Sequence, residues 1–304
     1  MLKSVDSLKV MAQKVNRKKI AVVFAHDEHV IEAIKEASDL GIVDPVLVGK
    51  KKEIEELINE IKLQEPYEII DCEDGEKATK IAMDLVNENK VDILMKGLID
   101  TKILLKGVVN SDYGIKDAKL LSHVGIVSYP THDKVLFATD GAMNISPDVN
   151  QKIMIIEAAV KLAKSLGYDK PKVGLVSAVE KVNPKILSTV EAKEIVDYYQ
   201  DKKIDFYIDG PFAVDNLVSM ESVKQKNITS IVGGDADILV FPNLDAGNIF
   251  YKTSVFLANG KSAGIVLGAK VPIVLTSRAD SAEAKLNSIL LAVLNHDGLS
   301  NLSN

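Results

Sequence analysis

Short runs of consecutive apolar residues alternate with helical stretches along almost the whole chain, and this constrains the fold more than any other feature. In the first half the runs are KIAVVFA (19–25), PVLVG (45–49), YEIID (67–71) and VDILMKG (91–97). In the second half they are KVGLVSA (172–178), DFYIDGP (205–211), DILVFPN (237–243), SAGIVLG (262–268) and VPIVLTS (271–277). A strand with one wet face alternates apolar and polar residues, whereas these runs are continuous. Continuous runs separated by crossover helices predict parallel sheets covered on both faces. The expected class is α/β.

Two regions depart from that rhythm. Leu2, Val5, Leu8, Met11 and Val15 recur at helical spacing and predict an amphipathic first helix. In 120–144 two strand-like runs are separated only by PTHD, a pair suited to a junction between domains. At 304 residues the chain exceeds what one compact core usually takes. Two α/β domains are therefore expected, 1–128 with a returning C-terminal segment 270–304, and 129–269.

Composition narrows the partners. A net charge of -6 with acids and lysines mixed along the chain argues against a nucleic-acid surface. It leaves room for a local basic pocket that takes a small anion. Cys72 is the sole cysteine, so neither a disulfide framework nor a cysteine metal set is available, and a reducing cytoplasm fits. The first twenty residues hold no unbroken apolar run, so no signal peptide or membrane span is expected there. The five histidines make no metal-like cluster, and the chain has no GxGxxG, P-loop or GxSxG.

Ligands of open parallel sheets bind beyond the carboxyl ends of strands, where helix N-termini also point. Five strand ends here carry unusual polar groups: 95–107, 137–147, 208–216, 241–252 and 275–285. Each has a structural explanation. Ser277 and Asp280 have capping-box spacing, Asp245 or Asn248 would cap the helix after Phe241, and Asp209-Gly210-Pro211 would make a turn. Repetition at the same end of the strands, with Lys106 and Arg278 among the polar groups, points beyond capping.

At these ends the sequence resembles the phosphate acetyl- and butyryltransferases. PNLDAGNIFYK (242–252) is similar to the family's P-D/N-L-x-x-G-N-I-x-Y-K signature. TSRADSAEAK (276–285) resembles its Ser-Arg segment, and 95–107 and DGAMNISP (140–147) resemble two further segments. The resemblance implies two α/β domains around an active cleft, in a fold similar to the isocitrate and isopropylmalate dehydrogenases. The implied reaction is acyl-CoA plus phosphate giving acyl phosphate plus CoA. The short chain and DGPFAVDN (209–216) look closer to the butyryl enzymes. No cofactor is implied beyond the CoA thioester substrate, and a homo-oligomer is expected, a dimer or larger.

Roles follow from the same resemblance. Arg278 supplies a planar fork for phosphate or acyl phosphate, and Ser277 a hydrogen bond to the leaving thiolate or the carbonyl oxygen. Lys106 stands where the acetyl enzymes place a phosphate-binding arginine, with Lys116 and Lys119 as weaker second cations. Thr101, Asp140, Asn144, Asn243, Asp245, Gly247, Asn248 and Lys252 are the expected substrate and CoA contacts. The acetyl enzymes carry an aspartate seven residues after the serine as a proposed base for the CoA thiol. That position is Ala284 here, leaving Glu283 or Asp280, with Glu283 favoured. The rival functions are a CoA-binding module without catalysis and a decarboxylating NAD-dependent dehydrogenase. The second would need an arginine cluster, and Arg278 is the sole arginine at a strand end.

Overall fold

The computed structural model describes residues 2–277 and 279–302, the last two without their side chains. In chain order the first elements are α1 (Ser7–Ala12), β1 (Lys18–Val23), α2 (Glu28–Asp39), β2 (Val43–Gly49) and α3 (Lys51–Ile61). β3 (Glu68–Asp71), α4 (Gly75–Asn87), β4 (Ile93–Lys96), α5 (Thr101–Val108), β5 (Ser122–Tyr129) and β6 (His132–Thr139) follow. Then come α6 (Val149–Ser165), β7 (Lys172–Val176), α7 (Leu187–Gln200), β8 (Tyr207–Phe212), α8 (Val214–Val218) and α9 (Met220–Gln225). The chain continues with β9 (Ile238–Val240), α10 (Leu244–Phe256), β10 (Lys261–Leu267), β11 (Ile273–Val274) and α11 (Ala282–Leu302). It divides into two compact units, one of Val5–Leu121 with Ser262–Asn304, the other of Met1–Ser4 with Ser122–Lys261.

In the first unit the strand order is β3-β2-β1-β4-β11-β10. The pairs are parallel except β10 with β11, which is antiparallel and so departs from the purely parallel sheet the sequence suggests. Every residue of β4 is buried, and so is β1 from Ile20 to Val23. Covering on both faces is why these strands read as unbroken apolar runs. α2 starts where Asp27 accepts the Val30 N–H at 3.0 Å and presents Val30, Ile31, Ala33, Ile34 and Ala37 to the core. It ends at Gly41, whose φ of 73° suits glycine. α11 is buried without a break from Lys285 to Asn295 and packs on α1, α2, β4 and β11. Each buried Leu or Ile there contributes ~2 kcal/mol of apolar transfer.

In the second unit the order is β5-β6-β9-β7-β8, parallel apart from the β5–β6 hairpin. Pro211 lies in β8, the terminal strand of that order, where a missing N–H costs least. Asp209-Gly210-Pro211 is therefore strand and not a turn. At the amino ends of the strands Lys134 donates to Asp237 at 2.7 Å and to Asp235 at 2.8 Å.

Three further expectations shift. The first helix covers only Ser7–Ala12, because Leu2 is held elsewhere: its N–H donates to the Tyr168 hydroxyl at 3.2 Å and its carbonyl accepts from Val135 at 3.1 Å. The unit boundaries fall at 121/122 and 261/262 instead of 128 and 270, since pairing keeps β5 and β6 in one unit. The run at 271–277 contributes only Ile273 and Val274 as strand, and the chain leaves the ladder before Thr276. Among the described residues no helix is long and apolar enough to cross a membrane.

Candidate active site

In the first unit the carboxyl ends of β1, β4 and β11 lie side by side. Val23 registers with Lys96 across β1 and β4, and Val274 with Met95 across β11 and β4. β1 is the strand from which the order turns outward on both sides, so its carboxyl end is the topological switch point of this sheet. His26 is buried just beyond it, with no partner for Nδ1 among the described residues and Nε2 3.8 Å from Glu53. Burial holds its imidazole below the ordinary histidine value.

Ser277 is exposed three residues past the end of β11. Its N–H donates to the Asp280 carboxylate at 2.7 Å, and its hydroxyl accepts from the Ala279 N–H at 3.3 Å. That is half of a capping box, but no helix starts there. α11 begins at Ala282, capped by Ser281, whose hydroxyl accepts from the Ala284 N–H at 3.2 Å. The expected cap at Ser277 is thus corrected to Ser281, and Ser277–Asp280 is a separate turn leading into the helix. Glu283 is exposed on the first turn of α11, and Asp280 is half-buried. Arg278 lies outside the described residues. Sequence reasoning passed over Lys285, which ended the quoted motif without a role. It is 2% exposed, and Nζ donates to the carbonyls of Asp280 at 2.7 Å and Ser277 at 3.2 Å. Every residue of α11 from Lys285 to Asn295 is buried, and the apolar run 289–294 that follows it is the only sequence hint of that burial.

Thr101 is the first residue of α5, after Asp100, which caps that helix by accepting the Lys102 N–H at 2.7 Å. Lys106, one turn on, is exposed and 3.4 Å from Glu76. Cys72, partly exposed, donates its thiol to the Asp74 carbonyl at 3.4 Å.

The second unit gathers five of the expected residues in one place. Asp140, at the carboxyl end of β6, is 2% exposed and is surrounded by donors. Its Oδ1 accepts from the Ala142 and Met143 N–H groups, each at 2.9 Å. Its Oδ2 accepts from the His123 N–H at 3.1 Å and the Asn144 side chain at 2.6 Å. Asn243 caps α10 by accepting the Ala246 N–H at 3.0 Å, so neither Asp245 nor Asn248 is the cap. Asn248 instead donates to the Gly141 carbonyl at 3.1 Å. Gly247 is the point of closest approach: a Cβ there would meet the Asp140 carbonyl oxygen at 2.6 Å. Asp245 is exposed in the first turn of α10, and Lys252 lies over the rings of Tyr251 and Phe256 at 5.4 and 5.6 Å. Among the described residues no three His, Cys, Asp or Glu side chains are grouped to hold a metal.

Two mostly parallel α/β units with polar turns at their strand ends are a setting in which small-molecule sites form. The model of the phosphate acetyl/butaryl transferase family matches residues 73–293. Phosphate butyryltransferase of Clostridium beijerinckii is 42% identical over 296 residues, 97% of this chain and 98% of that protein. Phosphate acetyltransferase of Thermotoga maritima is 44% identical over 280 residues, 91% of this chain and 95% of its own. The crystal structure of a branched-chain phosphotransacylase from Enterococcus faecalis V583 aligns with a TM-score of 0.83 at 33% identity, covering 92% of this chain and 99% of that one. The chain belongs to the phosphate acetyl/butyryltransferase family and is an enzyme, a phosphate acyltransferase. Neither the non-catalytic module nor the dehydrogenase finds support.

Proposed function

We propose that the chain transfers a butyryl or similarly short acyl group between CoA and phosphate by direct attack in a ternary complex. A phosphate oxygen adds to the thioester carbonyl carbon, the tetrahedral adduct collapses with cleavage of the C–S bond, and CoA leaves as thiolate and gains a proton. Holding the two substrates together supplies much of the rate. The observation that carries the reading is the Ser277–Asp280 turn, which leaves the Ser277 hydroxyl exposed at a strand end beside β4. In this reading Ser277 hydrogen-bonds the carbonyl oxygen or the thiolate, and Arg278 binds phosphate with Lys106 as a further cation. Glu283 handles the thiol proton.

Thr101, Asn243, Asp245, Gly247, Asn248 and Lys252 are assigned to substrate contacts. Asp140 and Asn144 act through the turn they hold together, because the Asp140 carboxylate already accepts four hydrogen bonds. The lone Cys72 suits a reducing cytoplasm. We also infer a homo-oligomer, since Ile249, Phe256 and Leu257 are exposed on α10 and its end at helical spacing. Light scattering of the purified chain tests that.

Release of CoA from butyryl-CoA, with and without phosphate, tests the reaction. Turnover that needs phosphate and yields an acyl phosphate is expected, and phosphate-independent release would exclude the ternary route. A panel of three- to five-carbon acyl groups sets the chain preference, which is expected to be broad because one methylene is worth only ~1–3 kcal/mol. Arg278→Lys should lose most activity, since a point charge does not replace a bidentate fork. A normal rate and phosphate KM would remove Arg278 from the site.

A further inference from the structure

Lys285 is the fourth residue of α11. Helical Cα–Cβ bonds tilt toward the N-terminus, so its stem runs back over the first turn and delivers the ammonium to the preceding loop. There it donates to the Ser277 and Asp280 carbonyls at 3.2 and 2.7 Å. This is a costly place for a cation. It is 2% exposed, and it lies at the positive end of the helix macrodipole. Of the three other buried lysines, Lys134 is matched by Asp235 and Asp237 and Lys152 by Glu191, while Lys96 donates to the Gly97 carbonyl at 3.0 Å. Among the described residues Lys285 has only neutral carbonyl partners.

A side-chain amide, whose NH2 carries two donors, would tie two carbonyls at less cost, since a neutral donor carries a much smaller desolvation penalty. A charge at this position is useful where an anion arrives next to it. The turn it holds carries Ser277 and, in sequence, Arg278, and the substrates of a phosphate acyltransferase are anions. The buried hydroxyl of Thr276, one residue earlier, has no partner among the described residues. Among the described residues the side chains of Lys285, Asp280 and Ser277 itself hold the turn.

We propose that Lys285 is a positioning residue for acyl transfer: through the Ser277 and Asp280 carbonyls it locks the turn that presents Ser277, and bound phosphate balances its charge. The inference rests on the assignment of Ser277 and Arg278 to the reaction.

Lys285→Met keeps the length of the stem and removes the charge. It should fold, as read by circular dichroism, yet lower kcat/KM for phosphate by about 10- to 100-fold, the scale of a misplaced reacting group. KM for acyl-CoA should stay within about threefold, because binding remote from the phosphate is left in place. A second experiment separates charge from packing. Lys285→Cys in a Cys72→Ser background is alkylated in denaturant and refolded, either with bromoethylamine, which restores an ammonium, or with bromopropane, which gives a neutral chain of similar length. The aminoethyl protein should recover activity and the propyl protein should not. Equal recovery by both adducts, or a Lys285→Met enzyme within about threefold of the parent, overturns the proposal. Ser277→Ala and Arg278→Lys belong in the same assay. If they are slowed while Lys285→Met is normal, this inference alone fails. If neither is slowed, the site assignment fails and the inference goes with it.

Discussion

The side-chain amide of Asn248 donates to the backbone carbonyl of Gly141 at 3.1 Å, joining the first turns of α10 to the loop that leaves β6. The two segments are 107 residues apart in sequence, and the bond would not form if either backbone stood further off. Gly247 and Gly141 permit the approach, and the Asp140 carboxylate sets the loop's shape by gathering four donors. The signature PNLDAGN is thus a packing device as well as a candidate substrate wall: Asn243 caps, Gly247 admits a backbone, and Asn248 fastens it.

Gly247→Ala should disrupt this joint. The added Cβ would meet the Asp140 carbonyl oxygen at 2.6 Å and the Gly141 Cα at 2.9 Å, both backbone atoms that do not swing aside. A loss of ~1–3 kcal/mol in urea unfolding is expected, as for overpacking elsewhere, together with reduced turnover. Gly75→Ala is the control, because its Cβ would meet Ile99 at an ordinary 3.6 Å, and it should be near neutral. Equal stability of the two variants would show that the close approach relaxes freely.

Asp140→Asn should cost more than its small change in size suggests. The carboxylate accepts two N–H groups on each oxygen side, and an amide would turn its NH2 against two of those donors. Leaving buried donors unsatisfied costs ~1–3 kcal/mol, and the partners of a charged acceptor lie toward the upper end. Urea unfolding measures the loss. A variant within about 0.5 kcal/mol of the parent would mean the loop is held by other bonds.

Much of the fold was legible because its causes are local. Ile20–Val23, Ile93–Lys96 and Ile238–Val240 are wholly buried, so burial writes itself into the sequence as unbroken apolar runs. The antiparallel β10–β11 pair was not legible, since a short buried strand looks the same in either direction. The start of α11 was ambiguous for a different reason. Ser277 and Ser281 both precede a plausible first turn, and the choice is made by tertiary bonds, with Asp280 taken up by Ser277 and the loop carbonyls by Lys285. Lys285 itself escaped notice because a lysine at the end of a polar motif reads as solvated, whereas in the fold burial begins at that residue and runs on to Asn295. The strand ends of 95–107, 137–147, 208–216, 241–252 and 275–285 stand out in the sequence because polar residues recur there.

Stability should fall as pH drops from about 6.5, the unperturbed histidine value. Burial lowers the imidazoles of His26, His132 and His296 in the folded chain. Below their unfolded value the unfolded chain then binds more protons than the folded one, so unfolding is favoured as pH falls through the folded values. The neutral-histidine contribution is fully present above pH ~6.5 and is lost on acidification. Asp205, Asp215 and Asp235, held low by hydrogen bonds to Lys164, Ser222 and Lys134, add a loss of the same sign at more acid pH. Urea midpoints at successive pH values measure the slope. Replacing His26 and His296 by Asn should flatten it between pH ~6.5 and 5, and an unchanged slope would assign the dependence to other groups.

The identity of the base is tested on α11 and the turn before it. A free thiol has a pKa near 8.5, so at pH 7 only about 3% of CoA is thiolate, and the direction that consumes acyl phosphate gains from a base. Ala284 stands where the acetyl enzymes carry an aspartate, which leaves the neighbours Asp280 and Glu283. Asp280 spends its carboxylate on the Ser277 N–H at 2.7 Å and its carbonyl on Lys285, so it maintains the turn. Glu283 stands exposed one residue before Ala284. Asp280→Asn should therefore lower stability by ~1 kcal/mol, the usual worth of such a bond, and reduce turnover only as far as the turn loosens. Glu283→Gln should lower kcat about 10- to 100-fold, with the deficit shrinking as pH rises toward the thiol pKa. Rates with acetyl or butyryl phosphate and CoA across pH 6–9 read both. A Glu283→Gln enzyme with full turnover and normal CoA affinity removes the base, and thiolate stabilisation by Ser277, Arg278 and the N-terminus of α11 must then suffice.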